Sequence, residues 1–395
     1  MKRLTLLLFA AALVVPRMAQ AQGLTMHMPN GWDFTFAGNV NVFWVYTSDE
    51  NGPSNSSIRT GLLPAFATFS AKGKEAGLDL GVHVGFGNQI QNAGVHDNFG
   101  NGTQAGAQID MRQVFLTVGL KGGHQILAGR ELGVFQRQNI LNDMTLYGVG
   151  AVGDPQGGGT TLGRIGYGYI YPNFNAQITF SSPANKQVQW SVGAFQPSVV
   201  GAFDETAIPR LEAEVVWKSP TRAPARGQRA SPNNFMVWVG GEWQSAKDPV
   251  ADVSLSSTGV TAGVRANLSD LSVVVAAYTG KGIGHVLGLG GNAVSVGATP
   301  EGRPSDGGYA QVTYKMGAKT TVGASYGVSR LKGADAGAGG DVTDELLSEL
   351  QMFTGGVYYQ WTRSLKVVGE VSRERNDLSG GPNRTDVSGG FMLFF

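Results

Sequence analysis

The sequence has no cysteine. In a chain of 395 residues this excludes disulfide staples and thiolate chemistry, so hydrogen bonding and packing alone must hold the fold. Beyond the N-terminal segment no run of about 18 apolar residues occurs, which excludes helical membrane spans. Net charge is small, +1 at pH 7. No field exists in that balance to recruit nucleic acid or an acidic surface. The five histidines, His27, His83, His96, His124 and His285, have no metal-binding spacing. No metal, cofactor or nucleic-acid partner is expected.

The N-terminus carries Lys2 and Arg3, then an apolar run from Leu4 to Val15, then the small-x-small signature Ala19-Gln20-Ala21. Residues 1–21 are expected to be a cleaved export signal, leaving 22–395 as one domain. Cleavage also removes Arg17, so 27 basic residues then face 29 acidic ones, a net charge of −2. Glycine is abundant, 59 residues with no G-x-y period. That suits a sheet with tight turns and long loops rather than a collagen-like fold.

Period-two alternation runs through the mature chain. Phe34, Phe36, Gly38, Val40, Val42, Trp44 and Tyr46 share one face of a first strand, with Thr35, Asn39, Asn41 and Thr47 on the other. Val387, Gly389, Phe391, Leu393 and Phe395 form one face of the last. An exposed apolar terminal strand is an aggregation edge in water but not in lipid. With an export signal, this predicts a closed β-barrel in a bacterial outer membrane. Short turns at 72–76, 121–123, 267–270, 317–319 and 362–364 alternate with longer connections at 48–57, 91–108, 282–306, 332–350 and 376–384. Keeping that alternation in phase gives an all-β, 16-stranded antiparallel transmembrane barrel with both ends at the short-turn, periplasmic rim. The connection 219–233, with Arg222, Arg226 and Arg229, is long for that rim. Strands two and eleven alternate poorly. Trp32, Trp44, Tyr46, Trp217, Trp243, Tyr278, Tyr359 and Trp361 are candidates for interfacial girdles.

The longest connection, about 132–171, is rich in glycine and is expected to fold into the lumen, where water would solvate its backbone. Arg130 and Arg164 flank it, and Asp143 and Asp154 lie within it. Acids on such a loop facing arginines on the wall would set a transverse field across the narrowest point. Arg210, Glu212, Glu214, Glu242, Arg265, Lys315 and Glu370 have inward parity and are candidate lumen wall charges, since a Lys or Arg facing lipid mid-membrane costs about 2–4 kcal/mol.

The chain resembles the trimeric general-diffusion porins of Gram-negative bacteria. The resemblance rests on Pro29-Asn30-Gly31 through Phe36, Asp110 through Phe115, Gly129 through Phe135, Arg164 through Tyr169, and terminal Phe395. It implies a water-filled channel for passive diffusion of small hydrophilic solutes and ions, with an inward-folded third loop and a homotrimeric assembly. It also implies contact with outer-membrane lipid and lipopolysaccharide. Carried over, Arg130 and Arg164 are arginine-cluster members and Asp143 or Asp154 the facing acid. Arg112 is a further candidate, at the rim or beyond a bulge, and Arg59 a weaker one. Phe395 corresponds to the residue read by the barrel-assembly machinery.

Two motifs point elsewhere. Gly323-Ala324-Ser325-Tyr326-Gly327 matches a nucleophile elbow but lies inside an alternating strand. Residues 148–153 match G-x-G-x-x-G without a surrounding βαβ unit. No catalytic residue is expected. The competing readings are a substrate-specific channel for an anion or small organic acid, an outer-membrane barrel hydrolase, and a plugged structural barrel.

Overall fold

The computed structural model describes residues 23–91, 109–155, 159–220, 233–295, 300–334, 341–376, 381 and 383–395. The expected export signal, residues 92–108 with His96, Gly157, Gly158, Arg222, Arg226 and Arg229 lie outside them. The strands in chain order are β1 (Leu24–His27), β2 (Asp33–Asp49), β3 (Asn55–Arg59), β4 (Ala65–Glu75), β5 (Leu78–Asn88), β6 (Ile109–Gly119), β7 (Gln125–Leu132), β8 (Phe174–Ser181) and β9 (Val188–Phe195). The second half contributes β10 (Arg210–Lys218), β11 (Asn234–Asp248), β12 (Val253–Leu268), β13 (Leu271–Lys281), β14 (Pro304–Met316), β15 (Thr320–Lys332), β16 (Leu346–Gln360), β17 (Leu365–Arg375) and β18 (Arg384–Phe394). Between β7 and β8 the described residues include a short α-helix, α1 (Arg137–Leu141), followed by a 3-10 turn at Met144–Tyr147.

These segments fill 16 wall positions of one closed antiparallel barrel. β3 and β4 share a position, because Phe43–Thr47 of β2 pair with β3 and Asp33–Gly38 pair with β4. β1 and β18 share another: Leu24 to His27 pair with Phe36 to Asp33, while β18 occupies Asp49 to Asn39 on the same side of β2. The ring closes through β18 and β2, and Phe395 exchanges backbone hydrogen bonds with Gly38 at 2.9 and 3.0 Å. Closure leaves the sheet without a free edge, as a membrane interior demands.

Alternation sets the facing. In β2, Val40 and Trp44 are exposed on the outside while Asn39, Asn41, Phe43 and Val45 are buried inside. In β18, Phe391 and Leu393 are half exposed, and the Phe395 ring lies 5.2 Å from that of Phe36. The short turns are as tight as expected. The β4–β5 turn puts Ala76 and Gly77 at φ 49° and 83°, the backbone twist that matches a two-residue hairpin.

The two strands with poor alternation have distinct reasons. The second wall position is broken at residues 60–64, where Thr60, Leu62 and Pro64 dip inward and are buried. The eleventh, β13, is apolar on both faces: Val274, Ala276 and Tyr278 point inward and are 1%, 3% and 4% exposed. Tyr278 is therefore not a girdle residue, whereas Trp44, Tyr46, Trp217, Tyr359 and Trp361 are exposed on the outer face. What the inward apolar residues pack against is the segment between β7 and β8.

Candidate pore constriction

Residues 133–155 and 159–173 lie inside the barrel, packed against its wall rather than solvated throughout. Ile140, Leu141, Leu146, Ile165 and Tyr169 pack on the wall residues Val216, Met236, Trp238, Val274, Ala276 and Tyr309. Met144, Val149 and Val152 pack on Phe43, Val45, Tyr358, Val368 and Met392. The wall makes room with glycine. A Cβ on Gly327 would sit 2.0 Å from the Tyr167 carbonyl oxygen, and one on Gly323 would sit 2.7 Å from Met144 Sδ.

The loop backbone finds its hydrogen-bond partners in wall side chains. Glu212 on β10 accepts from the amides of Val134 and Phe135 at 2.6 and 2.8 Å. Glu370 on β17 accepts from Val149 and Gly150 at 2.7 and 2.9 Å. Each carboxylate thus holds two consecutive amides through one oxygen, and hydrogen bonds to a charged group contribute about 1.5–3 kcal/mol. β10 and β17 are seven wall positions apart, so the loop is gripped from nearly opposite sides. Between them, Gln311 accepts from Met144 N at 2.7 Å, Tyr309 donates to Asn139 O at 2.8 Å, and Trp238 donates to Asn139 Oδ1 at 2.7 Å. Arg59 donates to the carbonyls of Asp154 and Gly159, and Arg384 to that of Gly153.

Against this frame the expected site residues separate. Arg164 is fully buried; it donates to Met352 O at 3.1 Å and to Ser325 Oγ, pinning the loop to β15 and β16. Asp143 is 3% exposed and spends its carboxylate on Thr145 N, Thr145 Oγ1 and Tyr169 Oη, at 2.9, 2.7 and 2.8 Å. It caps a turn inside the loop. Asp154 is exposed on the loop. Arg112 is the extra residue of a bulge opposite Gly85 and Phe86, which turns it inward against parity; it meets Asp110 at 2.8 Å, Tyr171 Oη at 3.2 Å and the Phe174 ring at 5.6 Å. Arg130 pairs with Val114 and Ala176, both on the outer face, is exposed, and donates to Met111 O at 3.1 Å. The structure therefore does not bring Arg130 together with Arg164.

The candidate wall charges are all inward, but in two settings. Arg210, Glu212, Glu214 and Glu370 are at most 4% exposed, and the three carboxylates hold the loop. Arg210 braces Glu212 at 3.0 Å, and Glu242 stands beside Glu212 in register. Arg265 and Lys315 lie nearer the short-turn rim, where Lys218, Lys72, Ser70 and His83 also keep part of their surface open. Sequence parity had not singled out Glu374, Gln311, Tyr309, Asn139 or Arg137. The first three share inward parity with the residues named, a signal that applies equally to dozens of others.

Described parts of the β13–β14 connection pack on the loop, with Val286 against Tyr167. Tyr171 N donates to Val286 O at 3.0 Å. Arg303 forks onto Asp341 at 2.6 and 2.9 Å and holds that carboxyl below its ordinary range. His285 is 6% exposed, contacts Ser348 Oγ at 2.9 Å, and burial pushes its pKa down to about 4.

A family model described as Gram-negative porin matches residues 7–379. No curated protein sequence matches. Among solved structures, the outer membrane channel DcaP of Acinetobacter baumannii aligns with TM-score 0.65 at 14% identity, covering 94% of this chain and 99% of that one. The anion-selective porin from Comamonas acidovorans aligns with TM-score 0.62 at 13% identity, covering 92% and 100%. OmpF of Salmonella typhi, solved with daunomycin, aligns with TM-score 0.59 at 12% identity, covering 94% and 100%. At these identities the structural likeness is one of fold.

Proposed function

The chain belongs to the Gram-negative porin family, and from that premise we propose a passive channel whose bore is set by residues 133–155 and 159–173, held in place by the wall. As a porin it resides in the outer membrane and serves passive diffusion. The observation that carries the finer reading is the pair of carboxylate grips at Glu212 and Glu370, which hold the loop from two sides with four backbone amides. A constriction so held discriminates by size without needing a gate. Arg164, Asp143 and Arg112 act in this reading as fixtures of the constriction, and Asp154 as its exposed acid. The purified protein in a planar bilayer is expected to give ohmic single-channel steps; absence of conductance from folded protein would sink the reading.

Two features bear on the hydrolase alternative. Ser70 Oγ lies 2.8 Å from His83 Nδ1, and His83 Nε2 lies 3.2 Å from Gln113 Oε1, whose amide donates to Glu131 at 2.8 Å. An uncharged amide between histidine and carboxylate cannot orient and stabilise an imidazolium as a carboxylate does. Ser325 of the G-x-S-x-G match lies within β15 and takes Arg164 as its partner, so no strand-to-helix elbow exposes it. We read the protein as non-enzymatic on these grounds. Homotrimer formation, contact with lipopolysaccharide, and recognition of Phe395 by the assembly machinery belong to the same proposal. Removing Phe395 is expected to slow insertion while leaving the conductance of inserted channels unchanged; normal insertion kinetics would count against that role.

A further inference from the structure

The inward wall near the short-turn rim carries an uneven distribution of charge. On β4, each lysine faces an acid: Lys72 is in register with Asp33, and Lys74 lies 3.5 Å from Asp79. Across the lumen the pattern differs. Lys218 at the end of β10 is in register with Met236, and Met236 with Arg265 on β12. Both cations point inward two strands apart, a backbone separation of about 10 Å that side chains of this length bridge easily. Arg137 of the loop approaches the same patch from above, donating to Glu214 at 2.7 Å, two pleat repeats from Lys218 with buried Val216 between. Arg265 donates through one nitrogen to Asn142 Oδ1 at 2.8 Å, and its Nε is buried without a hydrogen-bond partner. Lys218 donates to Gln189 Oε1 at 2.8 Å. Three cations therefore converge under the loop with Glu214 as the carboxylate among them, over a floor of buried Met236 and Trp238.

We propose that Arg137, Lys218 and Arg265 form a binding subsite for a small oxyanion, a carboxylate or a phosphate, on the periplasmic side of the constriction. This deepens the channel reading and rests on it. Arg265 supplies a fixed guanidinium charge, and Lys218 supplies a mobile point charge. The patch is open to water on its periplasmic side, so the anion keeps part of its hydration and leaves again. That is the compromise a conducting site requires, favourable entry with weak retention. Met236 and Trp238 reduce the solvent screening that would otherwise weaken the attraction.

The test is planar-bilayer electrophysiology on the full mature protein. Reversal potentials in a potassium chloride gradient are expected to show chloride preferred over potassium. Succinate and inorganic phosphate, added to each side in turn, are expected to block current at lower concentration from the periplasmic side, and whichever blocks better identifies the oxyanion class. Lys218→Gln with Arg265→Gln is expected to reduce the anion preference roughly threefold or more and to abolish the sidedness of block. If the double variant fails to insert, Lys218→Gln alone, at the strand end, carries the same test with a smaller shift. A permeability ratio and a block that these variants leave unchanged would overturn the subsite while leaving the channel standing. Loss of conductance in the unaltered protein would instead overturn the channel.

Discussion

The two ends of the lumen use the same kinds of residue in opposite ways. Toward the long-loop rim, charged side chains are buried and committed: Glu212 and Glu370 on the wall to loop amides, Arg59 on the wall to loop carbonyls, and Arg164 on the loop to a wall carbonyl. Toward the short-turn rim, Lys72, Lys218, Arg265 and Lys315 retain contact with water. A buried charge must be compensated by partners or it destabilises the fold, so the filled half can place charge only where a partner is fixed. The wet half has no such constraint, and its charges remain available to a passing ion. Arg265 stands at the border between the two, holding Asn142 of the loop through one nitrogen while part of its surface stays open.

The largest expected effect breaks the filled half. Glu212→Ala with Glu370→Ala leaves four amides without their acceptors and should weaken loop attachment by up to about 6–12 kcal/mol. Single-channel recordings should show larger, noisier steps, and liposome swelling should admit larger sugars. Unchanged bore would mean that the apolar packing alone holds the loop. A smaller effect concerns the β13–β14 connection. The folded-state pKa of His285 lies at about 4, below its ordinary value. The unfolded chain therefore takes up a proton near pH 6.5 that the folded chain refuses, and stability falls as pH drops from about 6.5 to 4, by about 3 kcal/mol in all. Hydrogen exchange across residues 282–295 should accelerate over that window in the native protein and much less in His285→Gln. The smallest effect sharpens the contrast from outside. Arg130→Ala, on the outer face, should leave permeability ratio and conductance within error; a marked loss of anion preference would place Arg130 in the lumen after all.

The barrel was legible because lipid on one side and a polar interior on the other impose period two on nearly every strand. The Phe34 to Tyr46 face and the terminal strand through Phe395 declared the fold, and phase between short and long connections gave the wall count. The site was less legible because it depends on where a loop lies, which local patterning does not encode. Val274, Ala276 and Tyr278 disrupt alternation because the loop makes that part of the interior dry. Arg112 escapes its parity through a bulge that no residue type announces. Arg130 carries the right motif on the wrong face. Asp143, expected to face the lumen arginines, is consumed by Thr145 and Tyr169 within its own loop. Glu212 and Glu370 were recognised as inward charges, and only the loop path turns them from wall charges into anchors.

The absence of cysteine makes one measurement decisive for the claim that the loop stays in place while the channel conducts. Met144 on the loop faces Gly323 on β15, where a Cβ would lie 2.7 Å from Met144 Sδ. Met144→Cys with Gly323→Cys puts two thiols at this loop-to-wall contact, and thiol titration before recording establishes that the disulfide has formed. The account predicts that the oxidised and reduced forms of this variant give the same single-channel conductance. A conductance that rises sharply on reduction would show that the loop must move for solutes to pass, and would contradict it.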